Sequence, residues 1–215
     1  MKKTKNGAIV AVSLLASFVL WTIAVCIVDV QPVGPQDSSV GFAAFNLFVH
    51  DLTGTNFDLY TITDILGLVP IGVCVCFGVL GFIQLIKRKS IRLIDRDILF
   101  LGGFYIVTIA MFALFETVEI NYRPVLINGV LEASYPSSTT MLVMCVMPTT
   151  IHQIKRRIKK KLLKNVCCFV VAVFTLFMVI GRILSGVHWI TDIIGGILFS
   201  SGLVALYCFM CNTKN

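Results

Sequence analysis

The chain has 215 residues, of which 57% are hydrophobic and only 13% are charged, and its mean hydropathy is +0.92. Soluble domains usually have about a quarter of their residues charged. This composition therefore excludes an ordinary soluble protein and indicates a single integral membrane domain over residues 1–215. The net charge of +7 alone would suit a nucleic-acid partner, but the positions of the basic residues argue against one.

Long apolar segments predict an all-α integral membrane protein with six transmembrane helices, each close to the roughly 20 residues that a bilayer requires. In chain order, the predicted helices cover about residues 7–28, 63–86, 98–118, 138–154, 166–184 and 189–210. The fourth is the shortest and contains Pro148, which a membrane helix tolerates. Between the first two, Phe42, Phe45, Phe48 and Val49 follow the spacing of one helical face. They predict a short interfacial helix in the first outer loop.

The basic residues predict the orientation of these helices. All but two of the 18 lysines and arginines lie before the first helix, between helices two and three, between helices four and five, or after helix six. The positive-inside rule makes this side cytoplasmic, with both termini inside and the protein in the plasma membrane. Topology and anionic lipid headgroups then explain the basic clusters, and no nucleic-acid partner is expected. The two exceptions, Arg123 and Arg182, are predicted on the outer side.

The eight cysteines all fall within or at the ends of the apolar segments. Thiols in such positions behave as small hydrophobic groups, and no Cys/His cluster has the spacing of a zinc site. The cysteines therefore predict no zinc site, and no cofactor is expected. The compact chain favours a bacterial origin.

The stretch "GRILSGVHWITD", residues 181–192, places three ionisable side chains at the mouths of predicted membrane helices. Such residues are candidates for function because burying them is costly. His188 and Asp192 are four residues apart, which predicts that they share a helix face. The carboxylate would then orient the imidazole and leave its other nitrogen free as a nucleophile.

Two further features predict that this nucleophile acts on phosphorus. Arg123 and Arg182 carry planar guanidinium groups that can bind two phosphate oxygens each. The stretch "YPSSTT", residues 135–140, places Ser137, Ser138 and Thr139 at the start of the fourth predicted helix, where free backbone amides bind anions. Together these residues predict a phosphoryl-transfer site with a phosphohistidine intermediate.

The same residues carry a resemblance to a known family. "RILSGVHWITD" resembles the third motif (Arg, five residues, His, three residues, Asp) of the type-2 phosphatidic acid phosphatase family of membrane lipid phosphatases. "YRP", residues 122–124, is similar to the end of its first motif, and "YPSSTT" to its Pro-Ser-Gly-His motif. The resemblance implies a six-helix fold and no metal. It also implies that His188 is the nucleophile, that Asp192 orients it, and that Arg123, Ser137 and Arg182 bind phosphate.

Two positions depart from the family pattern. Glu116 stands where the first motif begins with lysine, and Thr139 stands where the second motif ends in the histidine that protonates the leaving group. The candidates for an accessory role are Glu116, Glu119 and His50. Glu116, Glu119 and Arg123 are spaced so that they could share a helix face. A lipid diphosphate, such as a polyprenyl diphosphate, leaves as a stable anion, so a missing acid favours diphosphate substrates.

The predicted function is that of a membrane lipid phosphatase acting on a lipid phosphate or diphosphate at the outer face, among membrane lipids. The alternative is a non-catalytic member of the same family that binds lipid phosphates or serves as a scaffold. Loss of two family residues favours the alternative. Retention of His188, Asp192, Arg182 and Arg123 favours the enzyme, because a decaying site would be expected to lose its nucleophile as readily as its acid.

Overall fold

The computed structural model describes the backbone of residues 2–212 and the side chains of residues 6–212 other than Glu116. This part of the chain forms eight α-helices, with short 3₁₀ turns at Pro35–Asp37 and Ile91–Leu93. The helices are α1 Lys2–Ile27, α2 Ala43–Thr53, α3 Phe57–Leu66, α4 Leu68–Arg88, α5 Arg96–Thr117, α6 Ser138–Arg157, α7 Lys161–Leu184 and α8 Ile190–Asn212.

Five helical stretches of the described residues are long and apolar enough to cross a bilayer. They are Asn6–Ile27 in α1, Phe57–Arg88 across α3 and α4, Arg96–Phe115 in α5, Lys161–Leu184 in α7 and Ile190–Asn212 in α8. A helix of 20 residues is about 30 Å long, which matches the hydrocarbon thickness of a bilayer. The prediction of an all-α, multi-pass membrane protein is therefore confirmed.

Helix α6 was predicted as the fourth membrane helix and differs from these five. It contacts α4, α5, α7 and α8 and buries most of one face among them, including Met141, Val143 and Val146. Thr149 and Thr150 donate their hydroxyls to backbone carbonyls one turn earlier, which satisfies polar groups inside the bundle. A central helix shielded by its neighbours needs less apolar sequence than one that faces lipid.

The two ends of the bundle have different chemistry. At one end, ion pairs join the end of α4, the start of α5 and the end of α6: Arg88 Nη1 lies 2.7 Å from Asp95 Oδ1, and Arg157 Nη2 lies 3.0 Å from Asp97 Oδ2. We call this the basic end. At the other end, Trp21 Nε1 of α1 donates to Thr191 O of α8 at 3.1 Å. We call this the site end.

The first loop at the site end contains two helices rather than one. Helix α2 corresponds to the predicted short helix, and Phe45 and Phe48 on it are 43% and 62% exposed, as an interfacial helix requires. Helix α3 begins at Phe57, whereas the second predicted helix begins at about residue 63, so this prediction begins too late. Asn56 caps α3 by accepting from Leu59 N at 2.9 Å, and Gly67 separates α3 from α4.

Candidate active site

The pairing of His188 with Asp192 arises from a turn rather than from a helix face. Helix α8 begins at Ile190, so His188 precedes it and the prediction of a shared face is wrong. Asp192 lies in the first turn of α8, where its Oδ2 accepts from Trp189 N at 3.1 Å. The turn leaves His188 Nδ1 3.7 Å from the same carboxylate oxygen, and both side chains are buried.

Asp192 is held by a second buried residue that the sequence analysis did not identify. Asn121 Nδ2 donates to Asp192 Oδ1 at 3.3 Å, and Asn121 Oδ1 accepts from Gly41 N at 3.3 Å. Asn121 thus connects the loop between α1 and α2 to the carboxylate. In the sequence, Asn121 is recognisable only as a polar residue two positions before Arg123.

The guanidinium groups of Arg123 and Arg182 converge on His188. Arg123 Nη1 lies 3.3 Å from His188 Nε2, and Arg182 Nη2 lies 3.5 Å from the same atom. Arg123 comes from the loop after α5 and Arg182 from the last turn of α7, and both are buried. Because a guanidinium can only donate, Nε2 must be the acceptor. The proton of the neutral ring therefore sits on Nδ1, facing Asp192.

A cavity of about 360 Å³ opens beside this cluster, within the size range of small-molecule sites. Its polar lining includes His188, Arg123 and Ser138. Phe112, Phe115 and Met141 form an apolar side. The cavity therefore presents a guanidinium, an imidazole and a hydroxyl on one side and an apolar wall on the other.

The comparisons with known proteins identify the family of the chain. The family model described as the PAP2 superfamily matches residues 38–215. The chain belongs to the PAP2 superfamily. The resemblance of its motifs to type-2 phosphatidic acid phosphatases is thereby confirmed.

The PAP2 fold is also seen in a solved structure. The chain is similar to the crystal structure of a transmembrane PAP2-type phosphatidylglycerolphosphate phosphatase from Bacillus subtilis, with a TM-score of 0.61 and 19% sequence identity. The match covers 95% of this chain and 98% of that one. At this level of identity the similarity shows a shared fold. A search of curated proteins by sequence finds no match.

The residues of the second PAP2 motif occupy different places. Ser137 is fully buried; its N donates to Asp192 O at 3.1 Å and its Oγ accepts from Thr140 Oγ1 at 3.0 Å. It therefore joins the start of α6 to α8. Ser138 lines the cavity, whereas half-buried Thr139 is not among the described residues that line it.

The accessory candidates are not equally close to the cavity. Helix α5 ends at Thr117, so the helix face predicted for Glu116, Glu119 and Arg123 does not exist. Glu119 lines the cavity and accepts from the Tyr122 hydroxyl. The side chain of Glu116 lies outside the described residues. The ring of His50 packs against Trp189 with 5.6 Å between centroids.

Arg123 and Arg182 each contact a second side chain besides His188, and neither of these contacts was predicted from the sequence. Arg123 Nε lies 3.0 Å from Glu132 Oε2, and its backbone N donates to Glu132 O at 3.0 Å. Arg182 Nη1 donates to Thr63 Oγ1 of α3 at 3.3 Å. These anchors are distant in sequence from the motifs and have no characteristic spacing.

The environment keeps His188 neutral. Burial lowers the pKa of His188 well below its ordinary value, and the positive charges of Arg123 and Arg182 lower it further; a hydrogen bond with the Ser134 backbone acts in the opposite direction. Desolvation and like charges both disfavour an imidazolium. The Nε2 lone pair is therefore available at neutral pH, as a nucleophile requires.

The lowered pKa of His188 predicts a loss of stability in acid. The unfolded chain binds a proton at this residue below about pH 6.5, whereas the folded chain does not. The contribution of His188 to stability therefore falls as pH falls through that range, by at most about 1.4 kcal/mol per pH unit. Melting temperatures in detergent between about pH 7.5 and 5.5 should fall more steeply for the wild type than for His188→Asn. An equal or shallower slope for the wild type would contradict the assignment of a neutral His188.

Proposed function

We propose that this PAP2 protein is a membrane lipid phosphatase that hydrolyses a lipid phosphate or diphosphate through a phosphohistidine on His188. The observation that carries the proposal is the convergence of two buried guanidiniums within 3.3 and 3.5 Å of one imidazole nitrogen. The guanidiniums can neutralise the negative charge of a phosphoryl group, and the imidazole nitrogen between them can attack its phosphorus atom.

The proposed reaction has two steps. His188 Nε2 attacks the terminal phosphorus, and the bond from that phosphorus to its bridging oxygen breaks. The lipid leaves with the electron pair: as a lipid monophosphate when the substrate is a diphosphate, and as an alcohol that takes a proton from water when the substrate is a monophosphate. Asp192 stabilises the positive charge that develops on the imidazole. Water then attacks phosphorus and the bond to Nε2 breaks. The hydroxyl of the water stays on the inorganic phosphate that is released, and its other proton goes to the solvent. The atoms balance without a metal or a redox partner.

Several groups would bind the phosphoryl oxygens. Arg182 Nε is buried and has no hydrogen-bond partner among the described residues, which is costly unless a ligand supplies an acceptor. When phosphate binds, Arg123 Nη1 and Arg182 Nη2 would donate to its oxygens instead of to His188 Nε2. Ser138 begins α6 and lines the cavity, so its hydroxyl and the free amides of the first turn can bind a further oxygen.

The orientation and the sixth crossing also belong to this proposal. Helix α6 starts beside the site at Ser138 and ends among the ion pairs of the basic end, where Arg157 contacts Asp97. We therefore assign α6 as a sixth membrane crossing, with both termini cytoplasmic and the site at the outer face. The apolar side of the cavity, with Phe112 and Phe115, would contact the lipid next to its headgroup.

Phosphate release by the purified protein tests the proposal. The assay uses detergent-solubilised protein and a panel that contains a phosphatidic acid, a phosphatidylglycerol phosphate and a polyprenyl diphosphate. Release of inorganic phosphate from at least one lipid is expected. Absence of release from every lipid, by protein that is folded by thermal melting, would favour the non-catalytic lipid-binding alternative.

A further inference from the structure

One aromatic ring contacts both guanidiniums of the site. The Cζ atom of Arg182 lies 4.9 Å from the centroid of the Tyr60 ring, and the Cζ atom of Arg123 lies 5.8 Å from it. Tyr60 belongs to α3 in the first outer loop, more than sixty positions from Arg123 along the chain. No motif includes it.

Two like charges that converge on one atom repel each other. Both arginines are buried, so water screens this repulsion poorly. The face of an aromatic ring is electrostatically negative and attracts a guanidinium within about 6 Å of its centroid. A ring that attracts both cations opposes their separation while the phosphate site is empty.

Helix α3 is docked closely enough to place this ring. Gly181 precedes Arg182, and a Cβ there would come 2.7 Å from Thr63 Cγ2. Gly186 has a φ of +61°, and a Cβ there would come 1.8 Å from Gly54 O. Asn56 N also donates to Ser185 O at 2.9 Å. The backbone that leads into α3 therefore packs directly on the segment between Arg182 and His188.

We propose that Tyr60 is a positioning residue that holds Arg123 and Arg182 together for phosphate, with the Thr63 hydroxyl fixing Arg182 at its other edge. The role of the arginines in phosphate binding rests on the proposed function. The ring, rather than the hydroxyl of Tyr60, carries the effect. Loss of the ring allows the guanidiniums to move apart, which weakens phosphate binding before any chemical step.

Tyr60→Leu and Tyr60→Phe separate these contributions. Tyr60→Leu is expected to raise the KM for the lipid substrate and the inhibition constant for vanadate by about tenfold or more, because two cation–π contacts are lost. Tyr60→Phe keeps the ring and is expected to stay within about twofold of the wild type. Phe57→Leu is the matched control, since Phe57 lies one turn earlier on α3 and is 52% exposed. The hydrogen bond from Arg182 to the Thr63 hydroxyl is tested in the same assay. Thr63→Val removes this hydroxyl and should weaken vanadate binding more than Thr63→Ser, which keeps it.

Binding is also measured without turnover, as the rise in melting temperature caused by vanadate. The rise in melting temperature is expected to be smaller for Tyr60→Leu than for Tyr60→Phe. This rise can be measured even if the wild type releases no phosphate from any lipid. Failure of the proposed function is thus distinguished from failure of the Tyr60 proposal. Unchanged vanadate binding in Tyr60→Leu would overturn the proposal. An equal defect in Tyr60→Phe would also overturn it, because the hydroxyl would then carry the effect.

Discussion

Replacing His188 by alanine is expected to reduce phosphate release by at least about 10³-fold, because it removes the atom that forms the covalent intermediate. The two arginines remain, so lipid and vanadate binding should persist. Initial rates on the best substrate of the panel measure the loss. Rapid acid-free quenching after exposure to radiolabelled substrate should show a protein-bound, acid-labile phosphate in the wild type and none in the variant.

His152→Ala is the matched control for this substitution. His152 lies on α6 in contact with the Tyr207 ring of α8, on the part of the bundle that leads to the basic end. Its loss removes an imidazole of the same size and should leave the rate within a few fold of the wild type. Substantial phosphate release by His188→Ala, or a protein-bound phosphate in that variant, would contradict the assignment of His188 as the nucleophile.

The fold was predictable where a single physical requirement dominates the sequence. A lipid-facing helix must be apolar over its whole length, and this requirement located α1, α5, α7 and α8 to within a few residues. The first part of α3 was missed because Asp58 and Thr61 interrupt the apolar pattern there. Helix α6 gave the weakest signal because it packs against four other helices and is shielded from lipid.

The site was predictable only to the extent that its chemistry is encoded in short spacings. Arg182, His188 and Asp192 lie within eleven residues, and the structure brings them together with Arg123. His188 and Asp192 do not share the predicted helix face, because the chain turns before α8 begins at Ile190. Tyr60 and Asn121 could not be found, since their contacts depend on how separate loops pack.

A lipid diphosphate is expected to be hydrolysed with a higher kcat/KM than a phosphatidic acid, and the ratio can reach about 10² to 10⁴. This range is what a general acid contributes, equivalent to about 3 to 5 kcal/mol of barrier. A phosphate ester is a stable leaving group and needs no proton, whereas a lipid alcohol does. The resemblance of "YPSSTT" to the second family motif implies that Thr139 stands in the place of a histidine acid, and a hydroxyl is a poor proton source at neutral pH. Equal or reversed preference would show that another residue supplies the proton.

Thr139→His tests the same idea from the opposite direction. Half-buried Thr139 lies in the first turn of α6, next to the cavity residue Ser138, and an imidazole is longer than the side chain of threonine. Turnover of phosphatidic acid should rise, with a pH profile that reports the new acid, while turnover of the diphosphate should change little because its leaving group needs no proton. Thr139→Gln adds length without a titratable proton and should give no such rise. If Thr139→Gln raised the turnover of phosphatidic acid as much as Thr139→His, the longer side chain would be acting on binding rather than as an acid. The preference for diphosphates would then need a cause other than a missing acid.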